Sequence, residues 1–216
     1  MAEGARIDHS VILDLVPAGA RVLDLGCGDG ALLEKLVRQK GVIGRGIEIS
    51  EPGVRDCIAK GLTVLQGDID EGLRDYPDNS FDYVILNQTL QAAKKPDVVL
   101  SEMLRVGKQA IVGFPNFAYW KMRLYVLLFG RMPKTEFLPF EWYDTPNIHF
   151  CSILDFTDYC ARNGLAVEKT VYLSTDRGGR VLQGMRPNLF AENAVYLLSR
   201  GGALTSGSPL GTRFAD

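Results

Sequence analysis

Arg21-Val22-Leu23-Asp24-Leu25-Gly26-Cys27-Gly28-Asp29-Gly30 is the stretch that decides how this chain folds. Val22, Leu23 and Leu25 make a short apolar run of the kind found in buried parallel strands. Gly26, Gly28 and Gly30 follow, and they allow the backbone a tight turn with positive φ. From Ala31 to Lys40, Leu32, Leu33, Leu36 and Val37 fall on one helical face. Strand, glycine turn and helix in that order open a nucleotide-binding α/β domain, with the helix N-terminus aimed at a ligand.

Charge narrows the choice of ligand. Gly26-x-Gly28-x-x-Ala31 satisfies a loose dinucleotide fingerprint. However, Asp24 and Asp29 would face a pyrophosphate with no compensating cation nearby, so NAD and NADP are expected not to bind. S-adenosylmethionine carries an ammonium and a sulfonium that the same acids attract, and its carboxylate can take the helix N-terminus. Gly44 to Ser50 reads as a second strand ending in Glu48, at the offset where an acid reaches ribose hydroxyls. Ser50 then caps a helix with Pro52 in its first turn. Leu62 to Asp70 gives a third strand ending in Asp68-Ile69, a carboxylate for an adenine amino group and an aliphatic chain for the ring face. One such acid alone is more often a surface charge. Three at the C-terminal ends of successive strands mark the edge where open α/β sheets bind. The candidate cofactor residues are Asp24, Gly26, Cys27, Gly28, Gly30, Glu48, Ile49, Asp68, Ile69 and Asn87, and the cofactor is S-adenosylmethionine or S-adenosylhomocysteine.

From Arg21 to Gly113 the chain resembles the class I S-adenosylmethionine-dependent methyltransferases. The likeness rests on Asp24-x-Gly26-x-Gly28-x-Gly30, Glu48, Asp68-Ile69 and Ser80-Phe-Asp-Tyr-Val-Ile-Leu86. It implies a Rossmann-like α/β sheet with helices on both faces and an antiparallel C-terminal strand pair. Ile153 to Arg162 reads as a helix, and Leu165 to Leu173 and Ala194 to Ser199 as that pair, joined through Asp176-Arg-Gly-Gly-Arg180.

The 216 residues are 46% hydrophobic and 23% charged with a formal net charge of −2, which fits one globular domain over residues 1–200. That balance argues against a nucleic-acid partner. No apolar run approaches the roughly 18 residues needed to span a bilayer, and the N-terminus lacks a secretory leader. Four cysteines without CxxC spacing point to a reducing cytoplasm, with Cys27 a small residue tolerated in the turn rather than a nucleophile. Ile7 to Val16 reads as a helix packed beside the first strand, with His9 at the surface. Pro96 should open another helix with Val99, Met103 and Val106 on one face, and the Gly- and Ser-rich residues 201–216 read as a disordered tail.

Residues 114–150 break the alternation. Phe114 to Lys134 is aromatic and apolar on nearly every side, with Lys121, Arg123, Arg131 and Lys134 but no acid. A short helix apolar all round must be buried, as a lid or extra core layer or against a partner. Tyr119, Trp120 and Tyr125 are the candidate anchors. The catalytic residues cannot be named, because Asn87-Gln88-Thr89-Leu90 lacks the Asn-Pro-Pro-Tyr and Pro-Cys patterns of known methylases. His149 suits a structural histidine at a helix start better than a general base, and no metal-ligand spacing appears.

Nearly the full length resembles the MetW family of methionine biosynthesis proteins. The likeness is carried by Gly26-Cys-Gly-Asp-Gly-Ala-Leu-Leu33, Leu86-Asn-Gln-Thr-Leu-Gln91, Gly113-Phe-Pro-Asn-Phe117, Pro146-Asn-Ile-His-Phe-Cys-Ser152 and Arg186-Pro-Asn-Leu-Phe-Ala-Glu192. It implies a methyltransferase-like fold working beside a homoserine O-acyltransferase as partner. An active small-molecule methyltransferase is the alternative.

Overall fold

Strand β1 (Arg21–Leu25) runs through the middle of the sheet because both of its faces find apolar partners. Leu23 and Leu25 enter one core cluster and Val22 the other, the period-two alternation of a strand covered on both sides. The computed structural model describes residues 7–134, 139–174, 180–182 and 186–201. Among these, eight strands form one sheet in the order β3-β2-β1-β4-β5-β8-β6-β7. The strands are β2 (Ile43–Glu48), β3 (Val64–Gln66), β4 (Phe81–Asn87), β5 (Gly107–Pro115), β6 (Leu165–Ser174), β7 (Arg180–Val181) and β8 (Asn193–Arg200). β1 to β5 pair in parallel, whereas β8 runs antiparallel to both β5 and β6, as expected of the C-terminal pair. The two-residue β7, which the sequence did not suggest, is added to β6.

Helices cover both faces. On one, α4 (Pro96–Val106) and α6 (Ile153–Arg162) bury Val99, Leu100, Met103, Ile153 and Phe156 against β4, β5 and β8. On the other lie α1 (Ile7–Leu15) and α2 (Ala31–Lys40), through Ile12, Leu13, Leu32 and Leu36. α2 ends as the sequence suggests, with Gly41 left-handed at φ 62° and its N–H on Leu36 and Val37 carbonyls. α3 (Glu51–Ala59) is capped by Ser50, which accepts from the Gly53 N–H, and α6 carries a Ser152–Asp155 capping box.

Two expectations need correction. α1 does not merely flank β1, since its cluster takes in Ile85, Ile111, Val171 and Val195 from four other strands. His9 is not at the surface but only 3% exposed, because residues 9, 12, 13 and 16 recur at the spacing of one buried helical face. The tail beyond Gly201 and residues 175–179 of the last connection lie outside the described residues. No described helix is long and apolar enough to cross a membrane.

Candidate functional site

β1 sits between β2 and β4, so the chain leaves it toward β2 and β3 on one side and returns at β4 on the other. A crevice opens at the C-terminal ends of strands where the order reverses in this way. Two adjoining hollows occupy it. One, of about 220 Å³, is lined by Asp24, Gly26, Cys27, Gly28 and Asn87, together with His9, Asp29, Gln88 and Thr89. The other, of about 150 Å³, is lined by Gly26, Ile49, Asp68 and Ile69, together with Ile47, Thr89 and Lys94. Gly26 and Thr89 are common to both.

The glycine turn shapes the first hollow. Gly26, Gly28 and Gly30 all have positive φ, at 67°, 57° and 77°. A Cβ on Gly26 would lie 2.7 Å from the Thr89 hydroxyl and methyl, so glycine lets the turn close on the loop after β4. Nothing lies within 4 Å of where a Cβ of Gly28 would be, so that side of the turn is free of protein, although the Gly28 N–H is held by Glu48 and its carbonyl accepts from the Cys57 thiol. Glu48 lines neither hollow. Its carboxylate lies against the turn, accepting from Gly28 N–H at 2.9 Å and Ser50 N–H at 2.8 Å. Gly30 lies where α2 starts, against Leu62 and Cys57.

Asp24 is buried at 2% exposure. Asp29 is not an uncompensated charge, contrary to expectation. Burial acts to raise its pKa, but the Lys60 ammonium at 3.1 Å and the Ala31 N–H outweigh that and hold it below the usual carboxylate value. The charge argument against a pyrophosphate therefore rests on Asp24. The Cys27 sulfur lies 3.8 Å from that of Cys57, and burial, then the Asp24 charge, pushes its thiol far up. A thiol held protonated in this way is a poor nucleophile. Asn87 donates from its amide to Asp8 on α1 at 2.8 Å.

In the second hollow Ile49 stands 61% exposed across from Ile69, two aliphatic side chains available to a flat ring. The Asp68 carboxylate accepts from the Asp70 N–H and lies 3.6 Å from the Lys94 ammonium. His9, Gln88 and Thr89 are site residues that sequence reasoning missed. The helical spacing of residues 9, 12, 13 and 16 held the signal for His9, and adjacency to Asn87 at a strand end held it for the other two.

A separate surface lies on residues 117–134 and 140–150. α5 (Trp120–Phe129) leaves the sheet at Asn116, whose buried amide donates to the Asn188 and Ala191 carbonyls. Only Met122 of the helix is buried; Leu127 is 79% exposed, and Leu128 and Phe129 are exposed too. Of the alternatives for this helix, the extra core layer fails, because no described element covers it. Tyr119 is withdrawn as an anchor, since it packs with Met122 and Phe117. Trp142, at 77% exposure, Tyr143 and Phe150 extend the apolar face. A hollow of about 520 Å³ lies between α5 and the strap formed by residues 140–150, and no residue lining it lines either hollow in the crevice. His149 is exposed and stands ahead of the α6 cap rather than at the helix start, with its backbone N–H on the Gln91 carbonyl at 3.0 Å.

Comparison with known proteins agrees with this geometry. The chain is 38% identical over 204 residues to the bifunctional methionine biosynthesis protein MetXA/MetW of Rhodopirellula baltica, covering 90% of this chain and 33% of that one. It thus spans a third of that relative's length. It is 27% identical over 152 residues to the demethylmenaquinone methyltransferase of Bacillus licheniformis, covering 62% and 66%. A crystal structure of an S-adenosylmethionine-dependent methyltransferase from Thermotoga maritima, a possible histamine N-methyltransferase, shares the fold at TM-score 0.66 and 22% identity, with 90% of each chain covered. The family described as methionine biosynthesis protein MetW matches residues 6–198, and the chain belongs to that family.

Proposed function

We propose that this chain is an accessory subunit of a homoserine O-acyltransferase in methionine synthesis. In this reading residues 1–200 are one domain that holds S-adenosylmethionine or S-adenosylhomocysteine in the crevice and docks its partner through residues 114–150. The observation that carries it is the uncovered aromatic face of α5 and the strap. Apolar surface in water forgoes about 25 cal/mol per Å² relative to burial, which favours a partner that covers it. The bifunctional relative, which by its name unites MetXA with MetW, supports a partner of that kind.

The crevice residues fit the cofactor. Asp24 suits the ammonium, and the start of α2 at Ala31 and Leu32, which line the same hollow, suits the carboxylate. Glu48 suits the ribose, because each of its oxygens keeps a lone pair beyond the one N–H it accepts. Asp68 suits the adenine amino group, with Ile49 and Ile69 on the ring. When bound, the cofactor supplies a methyl group on a sulfonium; this chain's residues bind and orient it.

One observation favours the alternative, a small-molecule methyltransferase with residues 114–150 as a lid. The 520 Å³ hollow is large enough for an acceptor. Its separate lining counts against that use. Titration of purified acyltransferase with wild-type and Leu127→Asp protein distinguishes the two. A docking face predicts that the variant binds about 2 kcal/mol more weakly, roughly thirtyfold, with cofactor affinity unchanged. No complex with wild type overturns the partner reading, and an intact complex with lost methyl transfer establishes the lid.

A further inference from the structure

The loop after β4 touches both surfaces. Gln88 and Thr89 line the larger crevice hollow, and Thr89 also lines the smaller. Gln88 has φ 58°, a left-handed conformation uncommon outside glycine, and its side-chain Nε2 is buried with no partner among the described residues. The Gln88 carbonyl accepts from the Gln91 side-chain Nε2 at 2.9 Å. The Gln91 carbonyl in turn accepts from the Ile148 and His149 N–H groups at 2.9 and 3.0 Å. Next along the strap, Phe150 packs edge-on against Phe117 at 4.9 Å between centroids, and both line the aromatic hollow. Each link is a named contact, from crevice to apolar face.

We propose that this loop couples the two surfaces, so that filling the crevice rearranges residues 140–150 and changes how the aromatic face receives its partner. The coupling rests on the cofactor reading above. A ligand shifts a conformational equilibrium only by interacting differently with the two states. Gln88 provides that difference: it lines the hollow, and a carboxylate there offers its buried, orphaned Nε2 an acceptor that it reaches only by turning outward. A left-handed non-glycine backbone stores strain that a small reorientation can release. Gln91 then carries the shift, since its side chain holds Gln88 and its carbonyl holds the strap.

The chain carries its own reporters. Its two tryptophans, Trp120 and Trp142, both lie on the aromatic face and neither lines the crevice. S-adenosylhomocysteine is titrated into the full chain by calorimetry and, in parallel, by tryptophan emission and acrylamide quenching. The coupling predicts heat of binding and a change in quenching that saturate together. In Gln91→Ala, which alters no residue lining the crevice but frees the Gln88 carbonyl, affinity should stay within about threefold while the optical response falls by half or more. Phe150→Ala, at an exposed position, should reduce the response likewise. Binding heat with unchanged quenching in wild type overturns the coupling while leaving the cofactor reading intact. A full response in both variants overturns the assigned path, and absence of binding heat overturns both readings.

Discussion

Glu48 occupies an unusual position for a cofactor ligand, because its carboxylate already braces the glycine turn through Gly28 and the start of α3 through Ser50. Glu48→Gln keeps the side chain's volume and one acceptor but sets an NH2 against either the Gly28 or the Ser50 N–H, so a modest fall in melting temperature should accompany it. S-adenosylhomocysteine affinity should fall by about 1–3 kcal/mol, since ribose hydroxyls lose a charged acceptor. Calorimetry beside a melting curve checks it, and unchanged affinity would remove Glu48 from the cofactor site. The acids at strand ends were legible because β-strand register puts the last residue of each parallel strand on one edge. Lys60 was not legible as the partner of Asp29, since its side chain reaches across from the far end of α3. The burial of His9 lay in its spacing with Ile12, Leu13 and Val16, a pattern that its polar side chain masks.

Elements show the same division. β1, β2, α2, α3 and α4 could be read from periodicity, caps and prolines, all local signals. α5 was legible as a helix but not in its surroundings, because an all-apolar pattern states that burial is needed without naming what buries it. β7 has two residues and no pattern to read. At the sheet's other end Asp82 joins three strands: its carboxylate accepts from the Arg21 N–H of β1 at 2.9 Å and from Lys108 of β5 at 2.8 Å. The Lys108 hydrogen bond, then that of Arg21, holds its pKa at about 2, below the ordinary 3.8. Its folded value is the lower one, so the stabilisation is present above pH 3.8 and fades as pH falls toward 2. Asp82→Asn should therefore cost about 1 kcal/mol at neutral pH, kept modest by the solvent around Lys108 and Arg21. Urea unfolding of both proteins from pH 2 to 7 tests this, with the two curves converging at the acid end. A gap that persists at pH 2 would show that the cost is not electrostatic.

For the molecule as a whole, the reversal of strand order beside β1 places the crevice, and the charge within it selects among ligands. Asp24 lines the hollow beside the glycine turn, and a carboxylate there disfavours a dianionic pyrophosphate, so NAD should not displace S-adenosylhomocysteine at micromolar concentration. Competition calorimetry decides the point, and displacement at that concentration would show that one buried acid is too little to exclude a dinucleotide. The fold class and the location of the crevice were both legible, as they follow from chain-local patterns summed over parallel strands. The aromatic face was legible only as an anomaly, because an apolar pattern does not name what covers it.

The bare α5 face also bears on how many copies of this chain a cell can hold. An unaccompanied copy presents Leu127, Leu128, Phe129 and Trp142 to its surroundings. Such a patch invites self-association. If the proposed partner covers this face, supply in excess of it would leave a surplus prone to clumping and proteolysis, which would favour making the two chains in equal numbers. Joining them in one polypeptide enforces a one-to-one ratio at translation.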